Sequence, residues 1–194
     1  GLGDVYKRQE MFNTNFDITG IHANYLKDLC ELRGNVADKD QHSNFKIFKA
    51  YIDAYILCPL IGYQYSRKGK MGSAADGDVG ILAEQIIKRS QELKYVYQIL
   101  MLVDEESEPD EEKRIYRAFN FSEKTDEDKA MVAENMRIFN EYFLGGVEVL
   151  HEQFVKECID RDQYLLKMYQ FTKKFNEEQD GDALKAGIDK ILNK

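Results

Sequence analysis

The sequence predicts an all-α protein, a compact bundle of six to seven helices around one central apolar helix. Three observations predict it. Only 2 of 194 residues are proline, Pro59 and Pro109, and residues that favour helix are abundant. Apolar residues recur at spacings of three and four, and β-branched residues never form an alternating run. The connections between these patterns are short, as in antiparallel bundles.

The first nine residues, GLGDVYKRQ, stand outside this reading. Asp4–Gln9 can be encoded by GATGTGTATAAGAGACAG, which resembles a transposon-based sequencing adaptor read in frame. Residues 1–9 are therefore expected to be an artefact of fragmentary metagenomic DNA, with the natural chain starting near Met11 and one domain over 10–194. The segment carries Asp4, Lys7 and Arg8, a net +1, so without it the formal charge passes from -8 to -9.

Residues 10–20 lack helical period and predict an extended arm docked by Phe12, Phe16 and Ile18. A helix follows from Ile21 to Arg33, with Ile21, Tyr25, Leu29 and Leu32 on one face and Gly34-Asn35 as its stop. Residues 35–42 predict a polar loop. Ser43 or Asn44 can cap the central helix, expected from Ser43 to Arg67. It carries Phe45, Phe48, Ile52, Tyr55, Pro59 and Tyr63, flanked by Ile47, Tyr51, Leu57, Cys58, Ile61 and Tyr65. A helix apolar nearly all round belongs inside a bundle, and Pro59 predicts a kink over Tyr55–Pro59. The glycine-rich stretch after Arg67 predicts a mobile loop.

A long helix is expected from Val79 to Asp104, with a seam of Leu82, Ile86, Leu93, Val96, Leu100 and Val103. The acidic run Asp104–Glu112 predicts a linker whose end favours the start of a helix over Asp110–Phe119. Thr125 with Asp128 three residues on predicts a further helix start. That helix runs to Gly145-Gly146 and resumes through Val147, Leu150, Phe154 and Val155. The two glycines weaken a helix by ~1 kcal/mol each relative to alanine, which predicts close approach of another helix or a break. Two last helices are expected, Asp162–Asn176 and Asp182–Leu192.

Composition narrows function. Net negative charge argues against indiscriminate nucleic-acid binding. The 3 cysteines, Cys30, Cys58 and Cys158, lie far apart in apolar helical pattern and predict buried free thiols in a reducing, cytoplasmic compartment. The most apolar stretch, Ala54–Tyr65, is too short to span a bilayer, so no membrane association is expected. Neither a Gly-x-Ser-x-Gly elbow nor a P-loop is present, since Gly69-Lys70-Met71-Gly72-Ser73 lacks the flanking pattern. No cofactor is expected.

Two sets of residues carry chemistry. Glu148 and His151, three apart, share a helix face as ligands do in di-iron bundles. That chemistry needs a second such pair, and His22 and His42 lack an acid at matching spacing. Glu127, Glu134, Glu141 and Glu148, seven apart, instead form a solvated stripe, so Glu148 and His151 are weak metal candidates. The second set is Tyr63, Tyr65, Arg67, Lys68 and Lys70, with Lys88 and Arg89 on the next helix. Aromatic and basic residues side by side suit contact with DNA phosphates and bases, and cations also favour a helix C-terminus.

The segment FKIFKAYIDAYILCPLIGYQYSRKGK resembles the conserved helix of small proteins associated with bacterial DNA-phosphorothioation (Dnd) and related phage-defence systems. The matching residues are Phe48, Asp53, Ile61, Gly62, Tyr65, Arg67 and Lys68, and Pro59 departs from the expected alanines. This resemblance covers about an eighth of the chain. It implies an accessory subunit of a DNA-modification or restriction system without catalysis of its own. The leading expectation is thus a non-enzymatic helical protein that binds a protein partner, with a DNA-binding module as the alternative and a metal-dependent bundle enzyme as the third.

Overall fold

The computed structural model describes residues 11–31, 46–120, 125–156 and 160–180, with side chains through 174 apart from that of Arg161. It is a helical bundle with one small two-stranded sheet. Strand β1 (Phe16–Thr19) pairs antiparallel with β2 (Asp78–Ile81), Phe16 opposite Ile81 and Ile18 opposite Val79. The helices are α1 (Ile21–Leu29), α2 (Tyr51–Gln64), α3 (Ala83–Lys88), α4 (Ser90–Val103), α5 (Glu111–Phe119), α6 (Asp126–His151) and α7 (Arg161–Asp180). A π-helical turn, Glu152–Lys156, extends α6.

The expected arm is docked: Phe12 and Ile18 are buried and Phe16 stacks on Tyr55. It is also a strand, because its partner falls where a mobile loop and a helix start were expected. Four residues are too few for strand periodicity to stand out beside the helical pattern. The predicted helix Val79–Asp104 is therefore three elements. Asn15 Oδ1 accepts the Ala83 N–H at the start of α3. Arg89 separates α3 from α4, its side chain bonded to Asp53 of α2 and to Glu92. Ile86, Leu93, Val96 and Leu100 are buried as the seam predicted, while Leu82 and Val103 are exposed.

The central helix also starts later than expected. Its proposed cap, Ser43 or Asn44, and Phe45 lie outside the described residues. Residues 46–50 are not helical: Phe48 forms a parallel bridge with Cys30, and its C=O accepts the Glu31 N–H at 2.8 Å. Asp53, at the third position of α2, accepts the N–H of Ala50 and so satisfies one donor at the helix start. Lys46 donates to the carbonyls of Lys27 and Asp28, closing the C-terminus of α1. The end of the first predicted helix, the loop 35–42, Cys158 and the helix 182–192 lie outside the described residues.

The predicted starts of α5 and α6 hold. Asp110 accepts the Lys113 N–H, and Thr125 and Asp128 form a reciprocal capping box. Gly145-Gly146 do not interrupt α6. Gly146 lets α2 approach it, and Gly145 the segment that follows α2: a Cβ on Gly146 would lie well inside 3.0 Å of the Cys58 carbonyl, one on Gly145 likewise of the Arg67 carbonyl, and one on Gly62 of the Tyr142 carbonyl. The helix accepts the propensity cost of glycine in return for backbone contact. Around this crossing, Phe12, Tyr55, Tyr97, Phe139 and Phe143 pack edge-to-face or tilted as the aromatic centre of the core.

Candidate functional site

The central helix ends at Gln64, short of the expected Arg67, and the basic segment that follows it folds onto α6. Gly69 N–H donates to the Glu141 carbonyl at 2.8 Å, and glycine is required because a Cβ there would meet Leu144. This fixes where the five predicted nucleic-acid residues go. Tyr63 OH donates to the Val103 carbonyl at 2.7 Å and its ring packs on Tyr142. Tyr65 stacks on Phe171 of α7, with the Lys174 ammonium 5.5 Å from its ring centroid. Arg67 Nη1 donates to Glu152 Oε1 at 2.9 Å and lies 3.7 Å from Glu148. Lys68 Nζ donates to Ser107 Oγ, lies 3.7 Å from Glu106 and sits over the Tyr142 ring. Lys70 is exposed, with no ion pair among the described residues. Four of the five are thus engaged inside the chain. Of the flanking pair, Lys88 is exposed and Arg89 is bonded to Asp53 and Glu92.

The weak metal candidates sit in the same place. Glu148 and His151 share a face of α6, as their spacing predicts, and that face meets α1. Each finds a separate partner there. His22 Nε2 lies 2.8 Å from Glu148 Oε1, and His151 Nε2 lies 2.9 Å from Asp28 Oδ2. His22 therefore does have an acidic partner, though across 126 positions and not at helical spacing. Tyr25 lies between the pairs, stacked on His151 at 3.8 Å and edge-on to His22. Arg67 completes a continuous polar seam from the segment after α2 through Glu148 to α1.

The chemistry of the seam follows from its tautomers. A neutral imidazole that donates from Nε2 to a carboxylate carries its lone pair on Nδ1. Both Nδ1 atoms are buried and have no hydrogen-bond partner among the described residues. Through their Nε2 atoms the two rings tie α6 to Asp28 of α1 and α1 to Glu148 of α6. Burial lowers the pKa of His151, and the Asp28 carboxylate opposes that shift without cancelling it. No group of three or more potential ligands converges among the described residues. The glutamate stripe is divided too: Glu134 and Glu141 grip Arg137, while Glu148 turns to α1 and Arg67. Glu84 is exposed on α3. Cys30 and Cys58 are buried free thiols as expected, and burial pushes the Cys30 thiol up to about 12.

A second polar system was not anticipated. The acidic run after α4 is clamped. Asp104 is fully buried and accepts from Tyr142 OH at 3.0 Å and from the Ser107 N–H. Arg117 donates to the Met101 and Asp104 carbonyls and lies 3.5 Å from the Asp104 carboxylate. Arg114 donates to the carbonyls of Leu102, Glu108 and Pro109. The sequence signal was present: two arginines three apart on α5, beside buried Ala118, directly after the acidic run.

Comparison of the chain with protein-family models, with curated proteins and with solved structures finds no match.

Proposed function

We propose that this protein works as a helical interaction subunit that binds another protein through α7, without catalysis of its own. One observation carries the reading. Helix α7 is apolar on two faces, and among the described residues one of them packs on the bundle while the other stays exposed. Tyr164, Met168 and Phe171 pack on the bundle. Leu165, Leu166 and Tyr169 leave 53%, 56% and 65% of their surface open. A helix with a second, uncovered apolar face is suited to a partner. The internal engagement of Arg67 and Lys68 favours a protein partner over DNA. No helix among the described residues is long and apolar enough to cross a membrane. The resemblance of Phe45–Lys70 suggests the setting, a bacterial DNA-modification or phage-defence system.

The test is co-expression with the products of neighbouring genes, read by co-purification. A stoichiometric partner retained by the wild type and lost on Leu166→Glu with Tyr169→Glu, at unchanged melting temperature, is the expected result. No stoichiometric partner, or one retained by the double variant, overturns the reading.

A further inference from the structure

Between the clamped segment 104–110, α5 and α6 lies a half-open cleft of about 490 Å³. This is within the range of small-molecule sites, roughly 300–1,000 Å³. Its apolar wall is Tyr116, Met131 and Ile138. Its polar wall is rich in donors that the fold does not use. Arg117 is 94% buried (6% exposed), yet only its Nε and Nη2 make hydrogen bonds among the described residues, leaving Nη1 unused. Asn135, also nine-tenths buried, has no partner for Nδ2 among the described residues. Lys113, at the mouth, makes no ion pair among the described residues.

Two carboxylates share that wall. Glu134 is bonded to Arg137, and Glu108 Oε1 accepts the Asp110 N–H. A buried donor without an acceptor is costly, and Asn135 Nδ2 is one. A ligand that brings acceptor oxygens and covers the apolar wall removes that cost. Arg117, Asn135 and Lys113 line the same cleft, two of them cationic, and such a donor set suits an anionic group with several acceptor oxygens, as a phosphate has.

We propose that this cleft binds a small phosphate monoester carried on an apolar or aromatic body, with Arg117, Asn135 and Lys113 toward the phosphate and Tyr116, Met131 and Ile138 against the body. This goes beyond the α7 interface and does not depend on it.

Phenyl phosphate is the probe, titrated into the full chain by calorimetry and by ³¹P line broadening. Binding with Kd near or below ~1 mM is expected, at least ~10-fold tighter than phenol or inorganic phosphate alone. Lys113→Glu, a surface change, is expected to weaken it at least ~10-fold, and to do so less at high salt. Lys129→Glu makes the same charge change outside the cleft lining and is expected to alter Kd less than ~2-fold. The proposal is overturned if phenyl phosphate fails to bind at ~10 mM. It is equally overturned if phenol binds as well, or if the two lysine variants weaken binding alike.

Discussion

Two charged systems brace α6, and they are built on opposite terms. At Asp104 a carboxylate with no exposed surface is held by a permanent cation, Arg117, and by the Tyr142 hydroxyl. At the α1 seam the carboxylates are partly open and two of the cations are histidines, charged only when protonated. Burial depth and the choice of cation separate a lock from a clasp. The first should tolerate pH and fail completely when one partner is removed. The second should yield gradually, to pH and to salt.

The largest effect is expected at the lock. Arg117→Leu leaves a buried carboxylate without its cation and two carbonyls, Met101 and Asp104, without their donor. A loss of ~3–5 kcal/mol is expected, measured as a fall in the urea midpoint at constant slope. Replacing both charges, Asp104→Leu with Arg117→Leu, should recover a large part of it, since the uncompensated charge is the main penalty. A double variant as unstable as the single one would show that the backbone donors of Arg117 dominate. Tyr142→Phe removes one hydrogen bond to the same carboxylate. Its expected cost is smaller, ~1–3 kcal/mol.

The difference between the two systems also explains what the sequence revealed. Period and capping are local, so the starts of α5 and α6 were legible to within a residue from Asp110 and from Thr125–Asp128. The close approach at Gly145-Gly146 was legible as one of two alternatives, because a glycine pair in a strong helix implies either approach or a break. The spacing of Glu148 and His151 showed that they share a face. It could not show what that face meets, because His22 and Asp28 lie more than 120 positions away. The same limit hid β1–β2, whose strands are 4 residues each and joined only through the fold. Periodicity reports which residues face inward together. It carries no record of which helix they meet, and the polar seams are made at those meetings.

The clasp gives a prediction with a sign. Burial depresses the pKa of His151 below its ordinary 6.5, so the unfolded chain binds a proton more readily than the native one. The stabilisation is complete above about pH 6.5 and is lost as pH falls from there to the depressed native value. The cause is burial of the ring, which disfavours its charged form, and Nδ1 has no hydrogen-bond partner among the described residues. Urea midpoints measured across about pH 5 to 7.5 should fall on acidification in the wild type and change less in His151→Phe, which keeps an aromatic ring against Tyr25. Equal slopes in the two proteins would locate the pH sensitivity elsewhere.

The smallest effect is expected at the open end of the seam, where Arg67 meets Glu152 and Glu148. The side chains of Arg67 and Glu152 are 39% and 44% exposed, so water already screens the pair. Arg67→Gln should cost less than ~1 kcal/mol, and less still in high salt. The position matters more than the magnitude. Arg67 is the one residue shared by the basic segment after α2 and the Glu148 clasp, and Glu148 Oε1 remains committed to His22. If the two histidine pairs are independent, Arg67→Gln should change the pH dependence attributed to His151 little, because Asp28 and not Glu148 is the partner of that ring. A pH profile altered as strongly by Arg67→Gln as by His151→Phe would mean that the two histidine pairs are coupled through Tyr25.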